Sequence, residues 1–433
     1  MSAHSWNRFP RIEHAAELTW TDRYATLPDT GTTLLAHGLG RSYGDVCLNQ
    51  DGTLLLTRGL DHFIAFDRAC GRLRAEAGVS LKDILDLIIP QGWFLPVTPG
   101  TRYVTLGGAI ANDVHGKNHH VMGTFGHHVT RMELLRSDGQ RIECSPNENS
   151  AWLHASIGGL GLTGLITWAE IQLLPIHSPF MQARHQRFST LDDFWALDAG
   201  PGREWPYAVS WIDCAAQGKQ LGRGIFSTGR HAPESAVNPG RHQRSPTFPF
   251  DPPVSLVNGV TLRAFNFAYY HRPLSKGTAL QHHAPFFYPL DGLLEWNRIY
   301  GRRGFYQYQC VLPPDASHEG INALLQRISA SGTGSFLAVL KMFGDIPSPG
   351  LLSFPRAGAT LALDFPNLGS RTHKLFAELD AVVRDCGGRL YPAKDARMSA
   401  EMFRLSCPRW QEFSAFIDPR FSSSFWRRVN ASE

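Results

Sequence analysis

Apolar residues at 81, 84, 85 and 88, with polar residues between them, mark one face of a helix over 80–88. Ser80 and Asp83 form a capping-box pattern at its start. Ahead of it, short apolar runs at 33–37, 53–57 and 72–77 read as strands separated by turns. Beyond it, runs at 129–135 and 140–144 flank Ser137-Asp-Gly139, a hairpin signal, and 149–155 reads as a helix. A long alternating strand follows at 165–174. The pattern changes near 175–180. Strands are expected at 207–213, 305–312, 336–343 and 360–365, with a helix at 317–330 and few others, which suits an antiparallel sheet. Residues 232–285, rich in Pro, His, Arg and aromatics, read as a long loop or lid. From 371 a helical stripe returns through Leu375, Leu379, Val382 and Val383, ended by Gly387-Gly388. The class is α+β, with expected units at 1–178, 179–370 and 371–433.

Composition narrows the functional classes. At 433 residues and 43% hydrophobic, the chain can build more than one core. A net charge of +4 is too diffuse to point to nucleic acid. The seven cysteines are scattered with no Cys-x-x-Cys pair, so neither a disulfide framework nor a zinc site is expected. The first residues lack the apolar core of a signal peptide, and no run approaches the ~18 apolar residues of a spanning helix. The expectation is a cytoplasmic protein, one that can rest on a membrane surface, with the periplasmic face left open.

Residues 96–128 hold six glycines and five histidines. Glycine loses more freedom on folding than other residues, so packing alone does not account for this stretch. Glycine clusters at 38–44, 100–108 and 158–164 could each bring backbone N–H groups to a phosphate, or simply form turns. None is a Walker A loop or a Rossmann fingerprint. The histidines lack a helical His-x-x-x-His pair with acidic companions, so no metal is expected.

Gly38-Leu-Gly-Arg-Ser-Tyr-Gly-Asp45, Thr98-Pro-Gly-Thr-Arg102, Gly107-Gly-Ala-Ile-Ala111, Asp113-Val-His-Gly-Lys-Asn-His-His120 and Gly159-Leu-Gly-Leu-Thr-Gly164 together resemble the vanillyl-alcohol-oxidase (PCMH) type of FAD-binding domain. The Asp-Val-His-Gly-Lys form, with Phe287-Tyr-Pro-Leu-Asp-Gly292, Leu340-Lys-Met-Phe-Gly344 and Gly388-Arg-Leu-Tyr-Pro-Ala-Lys-Asp395, is similar to the decaprenylphosphoryl-ribose oxidase family, the flavin subunits of a lipid-linked ribose 2′-epimerase.

The resemblance implies a two-subdomain FAD domain under an antiparallel cap. It implies FAD contacts from Ala36, His37, Gly38, Leu39, Gly40, Arg41, Ser42, Tyr43, Gly44, Asp45, Gly100, Thr101, Thr105, Gly107, Gly108, Asn112, Asp113, His115, Ile166 and Tyr391. Arg41 stands where many relatives carry a flavin-linked histidine. A guanidinium is no nucleophile at neutral pH, so the FAD is expected to be non-covalent. Lys394 is implied as the base for the substrate hydroxyl and His115 as its neighbour beside the flavin. Lys117, Phe287, Tyr288, Gln309 and Lys341 are implied around the substrate, with Trp205 and Trp211 as further walls. Ala362 replaces a cysteine found in some members two residues before Asp364. The implied substrate is a lipid-linked sugar phosphate. The implied partners are a short-chain reductase, a quinone-like electron acceptor and a membrane surface. The competing reading is a soluble sugar, alditol or aldonolactone oxidase that uses oxygen.

Overall fold

The computed structural model describes residues 3–233 and 245–431. A parallel three-stranded sheet joins Ala16–Thr19, Thr53–Leu56 and Leu34–His37. A five-stranded antiparallel sheet orders Phe63–Asp67, Arg72–Glu76, Leu165–Gln172, Val129–Leu135 and Arg141–Cys144. The helix Leu81–Ile88 packs beneath it through Leu81, Ile84, Leu85 and Ile88, and Ser80 and Asp83 close the capping box.

The second half forms one eight-stranded sheet. Its order is Thr278–His282, Phe180–Phe188, Gly224–His231, Tyr207–Ile212, Ala338–Phe343, Gly358–Pro366, Phe305–Leu312 and Arg389–Leu390. Helices Pro314–Ser331 and Ser370–Asp385 cover one face. Strand alternation then decides what the other face offers. Ala338 and Leu340 point into the helical core, while Leu337, Val339 and Lys341 line a cleft.

The span 232–285 departs from the expected long loop. It contains the helix Gly259–His271 and the edge strand Thr278–His282, and its residues 234–244 lie outside the described residues. The helix is held by Leu262, Asn266 and Tyr270, spaced four apart. Its other positions carry apolar residues as well, which hides this periodicity in the sequence. The chain's last residues cross to the first: Ser422 N–H donates to the Leu34 carbonyl, and Arg428 pairs with Asp45 at 2.7 Å.

Candidate active site

A cleft of about 2190 Å³ runs between the loops that end the first strands and the helix-free face of the eight-stranded sheet. Its first wall is the turn after Leu34–His37. Gly38 sits where a Cβ would meet Thr105 Oγ1 at 2.5 Å, so the loop lies against the cap of helix Leu106–Ala111. Gly44 has φ +77°, and a Cβ there would overlap the Asp395 carbonyl, so this loop also touches the segment carrying Lys394. The backbone N–H groups of Gly38, Leu39, Gly40, Arg41 and Ser42 donate to no described residue. Such a run is a nest for an anion.

The other two glycine clusters differ. At the helix start, the N–H groups of Leu106, Gly107 and Gly108 are taken by Val79 O, Ala77 O and Thr105 Oγ1. In 158–164, Gly158, Gly159 and Leu160 donate to Ile110, Ser156 and Ala111, fixing this loop against the same helix. The unbroken run of free donors is therefore 38–42, while Gly100, Thr101 and Gly161 N–H also donate to no described residue. Asn112 adds a buried Oδ1 with no partner, while its Nδ2 donates to Gly108 O. Free N–H groups for a pyrophosphate, an unpaired amide oxygen and a cleft of this size fit a dinucleotide such as FAD.

Of the residues implied for the cofactor, Ala36, Gly38, Leu39, Gly40, Arg41, Ser42, Tyr43, Gly100, Thr101, Thr105, Gly107, Gly108, Asn112, His115, Ile166 and Tyr391 line the cleft. Four do not. His37 is buried behind the loop, its Nδ1–H donating to Cys47 O. Gly44 N–H donates to Asn7 Oδ1. Asp45 forms an ion pair with Arg428, and Asp113 accepts from Ser353 Oγ and Gly126 N–H. These four shape the wall from behind, because their polar atoms are spent on the protein.

The reactive groups meet at one end, where strand 305–312 brings Gln309 within 3.0 Å of His115 Nε2. Lys341 Nζ lies 2.9 Å from His115 Nδ1 and donates to Gly116 O at 2.8 Å. A neutral imidazole has one proton for two nitrogens. The Gln309 amide and the Lys341 amine hold the two ring nitrogens between them. Burial, with Lys117 nearby, holds the Lys341 pKa well below the usual lysine value. Burial and then Lys341 push the His115 pKa well down too, so the ring is neutral. Phe343 packs edge-on against this ring at 4.9 Å.

Lys394 projects from the short turn Pro392–Lys394, with its ammonium 3.9 Å from the centre of the Tyr43 ring. No described residue accepts a hydrogen bond from it. Burial lowers its pKa to about 8, against the pull of Asp364. Asp364, itself raised to about 7 by burial, accepts from Gln307 Nε2 at 2.8 Å. Tyr391 O–H donates to Asn112 O, and its ring stacks on Phe354 at 4.6 Å.

Lys117, Gln309 and Lys341 are side chains of the cleft wall. Lys117 Nζ donates to Phe287 O at 2.9 Å, and burial lowers its pKa to about 8. Phe287 and Tyr288 border the cleft, but their rings are only 1% and 2% exposed and pack in the core with Phe94 and Tyr207. At the cleft they offer the Phe287 carbonyl, which accepts from Lys117 Nζ, and a Tyr288–Thr98 hydroxyl contact at 2.8 Å. Trp211 lines the cleft, while Trp205 gives its carbonyl to His120. Of the other histidines of 115–128, His128 donates to Met122 O, and His119 Nδ1 accepts from Gly344 N–H while its buried Nε2 has no partner among the described residues. Burial pushes the His119 pKa down to about 3, so it adds no positive charge. Asp364, Gln307 and the Tyr43 ring face were missed in the sequence, since they reach Lys394 from distant segments without a shared motif.

An FAD binding domain family matches residues 13–145, and FAD is the cofactor. The chain is 36% identical over 415 residues to the decaprenylphosphoryl-beta-D-ribose oxidase of Mycolicibacterium smegmatis, covering 92% of this chain and 89% of that protein. It is 33% identical over 374 residues to a Streptomyces coelicolor protein named "Uncharacterized protein in mprA 5'region", covering 81% of this chain and 100% of the relative. The Delta(24)-sterol reductase of Rattus norvegicus is 35% identical over 103 residues, only 24% of this chain.

Proposed function

This chain belongs to the family of decaprenylphosphoryl-β-D-ribose oxidase, and we propose that it oxidises the 2′-hydroxyl of a polyprenyl-phosphoryl-β-D-ribose to the 2′-keto sugar. It is an FAD-dependent oxidoreductase, and bound FAD supplies the acceptor for the hydride leaving C2′. The observation that carries the reading is the convergence of Lys394, His115, Lys341 and Gln309 at one end of the FAD cleft. Oxidation of a secondary alcohol removes a hydride from carbon and a proton from oxygen. Lys394 takes the proton: its pKa near 8 leaves a useful fraction of neutral amine at neutral pH, and its nitrogen is free to accept. His115, gripped at both ring nitrogens, positions Gln309 and Lys341 at this end of the cleft. Lys117 spends one N–H on Phe287 O and keeps two for an anionic oxygen such as the sugar phosphate.

The FAD is held non-covalently. Arg41 lies over the Trp6 ring at 3.9 Å and offers no bond-forming nucleophile. The keto sugar passes to a separate short-chain reductase, which returns it as the arabinose epimer. The electrons leave through a quinone-like acceptor. The test is anaerobic mixing of the purified yellow protein with a prenyl-phosphoryl-ribose. Loss of the visible flavin band is expected, and free ribose or an alditol should not cause it. Bleaching by the soluble polyol alone, with peroxide formed in air, would assign the protein to soluble-sugar oxidation instead.

A further inference from the structure

Helix Gly259–His271 has two apolar faces, and only one is covered. Leu262, Asn266 and Tyr270 are buried against the sheet, and Phe265 rests on Phe336 with ring centres 4.6 Å apart. On the opposite side, Val260, Ala264, Phe267 and Ala268 follow helical spacing and are exposed, Val260 by 76% and Phe267 by 61%. Phe250, Val254 and Leu256, in the segment leading to the helix, are exposed as well. Isolated exposed apolar residues mean little, but a stripe on one helix marks a contact surface.

Two observations say what covers it. The first is charge: from 252 to 290 there is no Asp or Glu, the adjoining Asp251 is paired with Arg8, and Arg263 and Lys276 lie on or just after the helix. An apolar stripe with a basic border complements an anionic bilayer surface. The second is the cleft. The register pairs Gln309 with Ala362, Ala362 with Val339, and Val339 with Trp211, making one row across four strands. At strand spacings of about 4.8 Å, that row carries an apolar floor roughly 14 Å from the reactive end. It ends where Tyr269 of this helix lies over Trp211 at 4.7 Å, and Tyr269 and Arg272 both line the cleft.

We propose that helix Gly259–His271 seats its Val260–Phe267 face on an anionic phospholipid bilayer, so that the Ala362–Val339–Trp211 floor opens toward the membrane and receives the isoprenoid chain of the substrate. The inference rests on the reading of the substrate as lipid-linked. The helix lies in the interface plane and does not cross it, and no helix among the described residues is long and apolar enough to span a membrane.

The test is co-sedimentation of the full-length FAD-loaded protein with phosphatidylcholine vesicles, with and without phosphatidylglycerol. The wild type is expected to bind the phosphatidylglycerol vesicles and to be released by salt. The double variant Val260→Ser/Phe267→Ser should bind about tenfold more weakly. It should keep its flavin spectrum and its bleaching by a short-chain, water-soluble prenyl-phosphoryl-ribose. Equal vesicle binding by wild type and variant, or no binding by the wild type, overturns the proposal. So does self-association without vesicles that the double variant abolishes, since a second copy would then be the occupant. The short-chain bleaching reports on the oxidase reading separately, because it needs no membrane.

Discussion

Lys394, the proposed base, has around it an aromatic face at 3.9 Å, a buried carboxyl group and no hydrogen-bond acceptor among the described residues. A base must be neutral to take a proton. Flavin reduction should therefore rise with pH and level off above about 8, where Lys394 is deprotonated. Lys394→Met should lose that limb and slow anaerobic bleaching by about 100-fold or more, with the FAD band intact, as stopped-flow traces at several pH values will show. A second residue-scale outcome concerns Ala362, which faces the cleft midway along its floor. The thiol that lines the cleft, Cys47, has its pKa pushed up to about 12 by burial, which suppresses the reactive thiolate. Alkylation with a maleimide should leave bleaching unchanged in the wild type and abolish it in Ala362→Cys. Inactivation of the wild type would show a reactive thiol elsewhere in the site.

Helix Leu81–Ile88 shows how much an element can state about itself. Its apolar face, its cap and its place under a sheet all follow from eight residues and the serine before them. Ser80→Ala removes the side chain that accepts from Asp83 N–H and should cost about 1 kcal/mol, read as a lower urea midpoint with unchanged slope. Helix Gly259–His271 shows the opposite. Its apolar residues fall on two faces, so periodicity could not separate it from an irregular, greasy loop. The glycine clusters lie between these cases. All three look alike as sequence, yet 38–42 keeps five consecutive N–H groups without a described acceptor, while 106–108 and 158–160 are hydrogen-bonded to neighbouring segments.

The whole molecule closes on itself through Arg428. From the last helix, Ser424–Asn430, its guanidinium reaches Asp45 at 2.7 Å and Asp395 at 3.0 Å. Asp45 ends the nest loop and Asp395 follows Lys394, so one side chain joins the cofactor wall to the proposed base. Arg428→Ala leaves two carboxylates, 5% and 8% exposed, without their cation. It should destabilise the protein by about 3 kcal/mol, seen as a lower thermal midpoint and weaker FAD retention on dialysis. A variant that melts with the wild type would mean that water replaces the guanidinium at no cost.

Local pattern alone determined most strands, the capped helix, the α+β class and the family motifs, because period, caps and turn residues act over fewer than ten positions. Resemblance to a known family, and not local pattern, named Lys394, His115, Lys341 and Gln309, on four separate segments. The tertiary structure decided what those segments do to one another. Contacts spanning 194 and 226 residues bind Gln309 and Lys341 to His115. Burial turned the Phe287 and Tyr288 rings into the core, tied one nitrogen each of His119 and His128 to backbone partners, and placed Asp364 behind Lys394. Burial and hydrogen-bond occupancy depend on which segments meet, and no window along the chain contains that information.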